Sequence, residues 1–340
     1  MGSRAGKMIF VVGSSRSGTT LLGKILGNHS EVHTFRELQF FENELAADEM
    51  NDEPTDKDCL VAIGERLMTS IEDGVFSKFV PGLYAGEVSA IIKREEIESP
   101  MELYGAILNT KTQEAGKTIS CEQSPRYLFV LGEILDAYPE ARAVHVYRDP
   151  RAVLLSQKNR WRRAALTGGP RRSRLWTLTS WSNYHPVVTS RFWAAAMRKS
   201  QLLVDHPRLT EFSYETMVDE PEATISALCR FLGIEFELGM LDVPVEGSSS
   251  VADDPGRRGL DKSRIDSWRK GGLRPAEIEI CEKAAGAEMN RLGYSLTGTT
   301  ASAPQRALIY ASLVPKAVTA IALNFRRFSN IIAFLRKRLI

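Results

Sequence analysis

The sequence predicts an α/β fold in which a largely parallel central sheet is flanked by helices. Three observations carry that reading. Short apolar runs at residues 9–12 and 143–147 are each followed by a turn and an amphipathic run, the alternation of βαβ units. The turns hold residues that start helices, most clearly Asp149 as a cap with Pro150 behind it. At 340 residues the chain has ample material for a sizeable core.

The first unit is MIFVVGSSRSGTTLLGKIL, residues 8–26. Ile9, Phe10, Val11 and Val12 suit a strand buried on both faces, Gly13 ends it, and Leu21, Leu22, Ile25 and Leu26 recur on one helical face. A strand, glycine turn and helix start together make an anion site, because free backbone N–H groups and the positive helix end converge there. Gly13 and Gly18 have Walker A spacing, yet Thr19 stands where that loop carries its lysine, and the cation is Arg16. The same pattern also occurs in ordinary glycine-rich turns.

A mostly helical stretch follows to about Gly116, and then residues 116–135 read as a strand, a turn at Ser124-Pro125 and a helix. Residues 143–147 are the next strand. RLTEFSYE adds a short strand and the following helix ends at Gly233. Residues 246–273 open as a mobile Gly/Ser/Asp loop and close as a basic helical segment. In such a sheet the ligand is expected at the strands' C-terminal ends.

Composition narrows the partners. Lys plus Arg number 44 against 42 Asp plus Glu, a net charge of +2, so overall charge does not mark a polyanion binder and no nucleic-acid partner is expected. Cys59, Cys121, Cys229 and Cys281 contain no C-x-x-C pair, which argues against zinc and for reduced thiols in the cytoplasm. The early first strand leaves no room for a signal peptide.

Three motifs, SRSGTT, FRELQFF and YRDPRAVLLSQ, give the chain a family likeness. From Met8 to about Leu296 it resembles the sulfotransferases that use 3′-phosphoadenosine-5′-phosphosulfate (PAPS). The resemblance implies a three-layer, P-loop-like fold, PAPS as donor, 3′-phosphoadenosine-5′-phosphate as product and no required metal. It implies a 5′-phosphosulfate loop at Arg16, Ser17, Gly18, Thr19 and Thr20, with Arg16 stabilising the departing phosphate's charge. Arg148 and Ser156 match the 3′-phosphate motif, a helix-cap salt bridge being the other reading of Arg148. Glu37 matches the general base, which takes the acceptor's proton as oxygen attacks sulfur. Phe40 and Phe41 would make its surroundings apolar, and Arg36 would hold the donor or orient the acceptor. His33 is a second candidate base. Tyr214 matches an aromatic near the adenine, and Ser124 and Arg126 a turn near the active site, although Gln123 stands where the family often has lysine. Lys262, Ser263, Arg269, Lys270 and Gly271 resemble a segment that folds over the 3′-phosphate.

Two rival readings remain. A small-molecule kinase would need ATP and magnesium, with Asp149 as a Walker-B-like ligand, but the Walker lysine is missing. A non-catalytic nucleotide-binding or membrane-scaffold protein would not need Glu37 and both arginines.

The resemblance covers a domain of residues 1–300 and leaves residues 301–340 as a basic, amphipathic helical extension. Phe325, Phe328, Ile331, Ile332, Leu335 and Leu339 fall at helical spacing among arginines, while Pro315-Lys316 interrupts the apolar stretch before them. That tail suits peripheral attachment to an anionic membrane through residues 304–340, or docking on the body or on a second copy in a homo-oligomer. The six arginines from Arg160 to Arg174 suit an anionic surface or a solvated loop. The acceptor is a hydroxyl of a small molecule, glycan or lipid.

Overall fold

The computed structural model describes residues 6–43, 54–162, 174–245 and 254–324. The strands are β1 (Lys7–Gly13), β2 (Val32–Thr34), β3 (Ile119–Glu122), β4 (Arg142–Tyr147), β5 (Leu209–Ser213), β6 (Pro244–Val245) and β7 (Asp254–Arg258). The helices begin with α1 (Thr19–Gly27), α2 (Phe40–Asn43), α3 (Lys57–Glu72), α4 (Ala85–Glu95), α5 (Pro100–Glu114), α6 (Leu131–Ala137) and α7 (Pro150–Lys158). They continue with α8 (Arg174–Ser182), α9 (Pro186–Gln201), α10 (Tyr214–Asp219), α11 (Pro221–Leu232), α12 (Pro275–Arg291), α13 (Ala303–Ala311) and α14 (Leu313–Asn324).

Two compact units divide the chain. The first takes residues 1–146, 203–212 and 220–243, and holds most of a five-stranded sheet of order β2-β3-β1-β4-β5. β1 pairs in parallel with β3 and with β4, and β2 with β3. Phe10, Val11 and Val12 are fully buried, as a central parallel strand requires. In this register Gly13 lies opposite Val146. A Cβ on Gly13 would stand 2.3 Å from the Val146 carbonyl oxygen, so only glycine fits where β1 turns into its loop. Helix starts follow their caps: Asp56 accepts from two amides of α3, and Ser99 from Glu102 N ahead of Pro100. Gly233, at φ 73°, ends α11 as expected. β2 has only three residues, too few for any periodicity in the sequence to announce it.

The second unit comprises residues 147–202, 213–219 and 244–340. Asp149 caps α7 by accepting from Arg151 N at 2.8 Å. α9 packs on α12, and α7 on both. Two expectations are corrected here. Within the stretch read as a mobile loop, Asp254–Arg258 forms a ladder with Pro244–Val245, an antiparallel partner that no local pattern reveals. The basic segment forms two 3₁₀ turns, Lys262–Arg264 and Ser267–Lys270, instead of one helix, because Asp261 caps the first and Gly271 stops the second at φ 105°. Residues 163–173 of the arginine-rich loop, residues 246–253, and the tail stripe from Phe325 onward lie outside the described residues.

Candidate active site

In the first unit the β1–α1 loop is shaped by its backbone. Ser17 N donates to Ser14 O at 3.2 Å, closing a turn over Arg16. Arg16 has φ 73° and Gly18 φ 101°. A left-handed conformation at a non-glycine residue costs about 1 kcal/mol, so the loop is held where it does not relax by itself. Thr19 is buried at the helix start and Thr20 is exposed. Ser17 is fully buried and its Oγ has no hydrogen-bond partner among the described residues. A buried hydroxyl beside a helix N-terminus suits an anionic ligand oxygen.

The FRELQFF segment is bracketed by side chains from β3 and the turn after it. Leu38 N donates to Glu122 Oε1 at 3.0 Å, Gln39 N to Ser124 Oγ at 3.2 Å, and Phe40 N to Tyr127 OH at 2.8 Å. Gln39 sits at φ 56°, which turns the chain sharply just after Glu37. Glu37 is half-exposed and accepts from Gln39 Nε2 at 2.7 Å; Arg36 is exposed. Phe40 and Phe41 turn the other way. They are 1% and 2% exposed and pack on Tyr104 and Tyr127, so they anchor the segment in the core. Ser124 is likewise fully buried: it donates to Glu122 Oε1 at 2.5 Å and receives Gln39 N. Arg126 pairs with Glu42 at 2.8 Å. His33 stands edge-on to Phe35, with burial and then Lys117 holding its imidazole below the usual value.

Glu122, which no motif singled out, is the hub of this bracket. It is 1% exposed and accepts from Leu38 N, Ser124 N and Ser124 Oγ. Burial pushes its carboxyl up to about 8. A cavity of about 110 Å³ lies beside the same segment, lined by Leu38, Phe40, Arg66, Leu67 and Phe79 among others.

In the second unit Arg148 is fixed by packing. Its guanidinium lies 4.1 Å over the Tyr214 ring, Nη2 donates to Arg264 O at 2.6 Å, and Trp193 Nε1 donates to its carbonyl at 2.9 Å. The buried Nε has no hydrogen-bond partner among the described residues, which leaves a donor of the guanidinium fork for a ligand. Asp149 is committed elsewhere: besides capping α7 it takes Arg151 Nε at 2.9 Å and Nη2 at 2.8 Å, so its carboxylate is engaged by protein and unlike an open magnesium ligand. Arg151 also reaches Glu282 at 2.8 Å. Ser156 lies on α7, half-exposed. Arg269 pairs with Asp266, and Lys270 reaches Ser263 O at 3.5 Å; Arg264 is the residue of that basic segment that meets Arg148. Arg264 was missed because its contact is made by a backbone carbonyl, which no side-chain pattern encodes. Among the described residues, no group of three His, Cys, Asp or Glu is placed to hold a metal ion.

Known proteins resemble this chain in sequence and in fold. Nodulation protein NoeE of Sinorhizobium fredii (strain NBRC 101917 / NGR234) is 28% identical over 198 residues, 53% of this chain and 45% of that protein. The chain therefore spans less than half the length of that curated relative. A solved sulfotransferase domain from the curacin biosynthetic pathway is 22% identical, with a TM-score of 0.52 covering 86% of this chain and 99% of that one, a likeness of fold. The sequence model described as "Sulfotransferase family" matches residues 8–238, from the first residues of β1 through α11, and so includes the loop of Arg16, the Glu37 segment, Arg148, Ser156 and Tyr214. With well over half of its length inside that match, the chain belongs to the sulfotransferase family.

Proposed function

We propose that the protein transfers a sulfuryl group from PAPS to a hydroxyl of a small-molecule, glycan or lipid acceptor, with Glu37 as general base. The observation that carries this reading is the β1–α1 loop, in which Arg16 and a buried Ser17 hydroxyl with no hydrogen-bond partner among the described residues stand in place of the Walker lysine. In this reading Arg16, Ser17, Gly18, Thr19 and Thr20 bind the 5′-phosphosulfate. Arg148, with its spare Nε, and Ser156 bind the 3′-phosphate, and Tyr214 serves the adenine side. The acceptor oxygen attacks sulfur as the bond from sulfur to the 5′-phosphate oxygen breaks. Glu37 takes the acceptor's proton, and Arg16 with the helix-start amides stabilises the charge left on the phosphate. In-line transfer of this kind relies mainly on positioning and charge. The bracket that fixes Leu38, Gln39 and Phe40 supports Glu37 as the base, since it holds the neighbouring backbone in one conformation. Residues 1–300 form the transferase domain in this reading. Four free cysteines support a reducing, cytoplasmic setting.

Glu37→Gln should lower transfer about 10²- to 10⁴-fold. It should leave binding of 3′-phosphoadenosine-5′-phosphate unchanged by calorimetry; turnover equal to the parent's would remove Glu37 from the mechanism. Thermal stabilisation by that nucleotide, and none by ATP with magnesium, separates this reading from a kinase.

A further inference from the structure

Charge is strongly segregated along this chain. Residues 150–204 and 289–340 hold 19 Lys and Arg and no Asp or Glu, whereas the remaining 233 residues hold 25 Lys and Arg against 42 acids. Arg151, Lys158, Arg198 and Arg306 of the basic set are ion-paired within the second unit. The basic set also includes, in the sequence, Arg163, Arg171, Arg172 and Arg174 ahead of or at the start of α8, and Arg326, Arg327, Arg336, Lys337 and Arg338 after α14.

Those two acid-free stretches also supply an apolar face. Along α13 and α14, Leu308 is 64% exposed, Val314 68%, Val318 61% and Ile321 43%. α14 packs on α8, where Leu175 is 62% exposed, Leu178 45% and Trp181 46%. Apolar side chains this exposed on adjoining helices present surface that water does not favour. The helices are nevertheless fastened to the body on their other side. Ile309 is buried against Val187, Ala276 and Ile280, Arg306 meets Glu279 at 3.3 Å, and Asn324 donates to Asn183 at 3.0 Å. Lys316 lies 4.2 Å over the Trp181 ring and donates to Tyr184 O at 3.0 Å.

We infer that the exposed face of α8, α13 and α14 seats in the surface of a bilayer carrying anionic lipids. The apolar side chains enter the boundary between headgroups and acyl chains, and the positive charge that the sequence concentrates in these stretches favours anionic lipid. By length and composition Ala303–Asn324 is apolar enough to cross a membrane. Its attachments to α8, α9 and α12 at both ends instead keep it along the body, in the plane of the interface. Nucleic acid would meet the same charge but has no use for the apolar face. This seating does not depend on sulfuryl transfer, so its test reads binding alone.

The full chain is floated on a density gradient with vesicles of phosphatidylcholine, alone or mixed with phosphatidylglycerol. Flotation with the mixed vesicles, weakened by salt, is expected. Leu178→Glu with Val318→Glu should reduce the bound fraction about tenfold or more, since two exposed apolar anchors become charged. Val314→Ser with Ile321→Ser, the milder pair, should reduce it in the same direction and serves if the first pair fails to fold. No flotation of the parent, or equal flotation by a folded variant, overturns the inference. So does a parent dimer that the variants split while vesicle binding is unchanged, since the face is then an interface between copies.

Discussion

The β1–α1 loop and the segment after β4 both present an arginine for an anion, but they are built differently. Around Arg16 the work is done by the main chain: Gly13 fits under the Val146 carbonyl, Arg16 is held at φ 73°, and Gly18 opens the helix at φ 101°. Around Arg148 it is done by side chains, with Tyr214 beneath the guanidinium and Trp193 on its carbonyl, while one backbone oxygen, of Arg264, takes Nη2. A backbone-built site tolerates a change of cation but no change in turn geometry. A side-chain-built site tolerates small backbone adjustment but depends on the shape of the guanidinium.

The largest effect should come from breaking the first kind. Gly13→Ala places a methyl group 2.3 Å from the Val146 carbonyl, where the neighbour is backbone and the sheet register cannot shift easily. A loss of about 3 kcal/mol or more is expected, read as a lower urea midpoint. Stability equal to the parent's would mean that the β1–β4 pairing yields and that the loop is softer than this contact implies. Next comes Arg148→Lys, which keeps the charge and discards the planar fork stacked on Tyr214. Affinity for 3′-phosphoadenosine-5′-phosphate should fall about 30-fold, or about 2 kcal/mol, by calorimetry. Arg16→Lys should cost clearly less in the same titration. Equal losses at the two positions would erase the distinction between them.

The same difference explains what the sequence revealed. The loop after β1, the Asp149 cap and the end of α11 at Gly233 were legible because glycine turns and caps are local and depend on a few neighbouring residues. β2 and the β6–β7 ladder were not, since a strand of two or three residues exists only through its partner. The apolar character of Phe40 and Phe41 is legible in the sequence, but the depth to which they are buried is not. The turn at Gln39, imposed by Glu122, Ser124 and Tyr127 from 85 or so residues away, sends them into the core. Glu122 itself was invisible, because one glutamate looks like any other until burial and three donors mark it.

Glu122 offers the finest test, because it stands between the two kinds of construction: a buried side chain that fixes main-chain amides. Burial raises its carboxyl from the usual 4.5 to about 8. Below 4.5 the folded and unfolded chains both hold this proton. Between 4.5 and 8 the folded chain keeps a proton that the unfolded chain has released, so stability is lost as pH rises through that window, by at most about 1.4 kcal/mol per pH unit. Glu122→Gln has no proton to lose and should show a shallower fall in urea midpoint across the same window. Glu215, whose carboxyl burial also raises, titrates in both proteins and cancels in the comparison. Parallel pH profiles would show that Glu122 is ionised in the fold at neutral pH, held by its three donors alone. The Glu37 segment would then be fastened by a charged hub, and a slope confined to the parent would mark it as fastened by a neutral one.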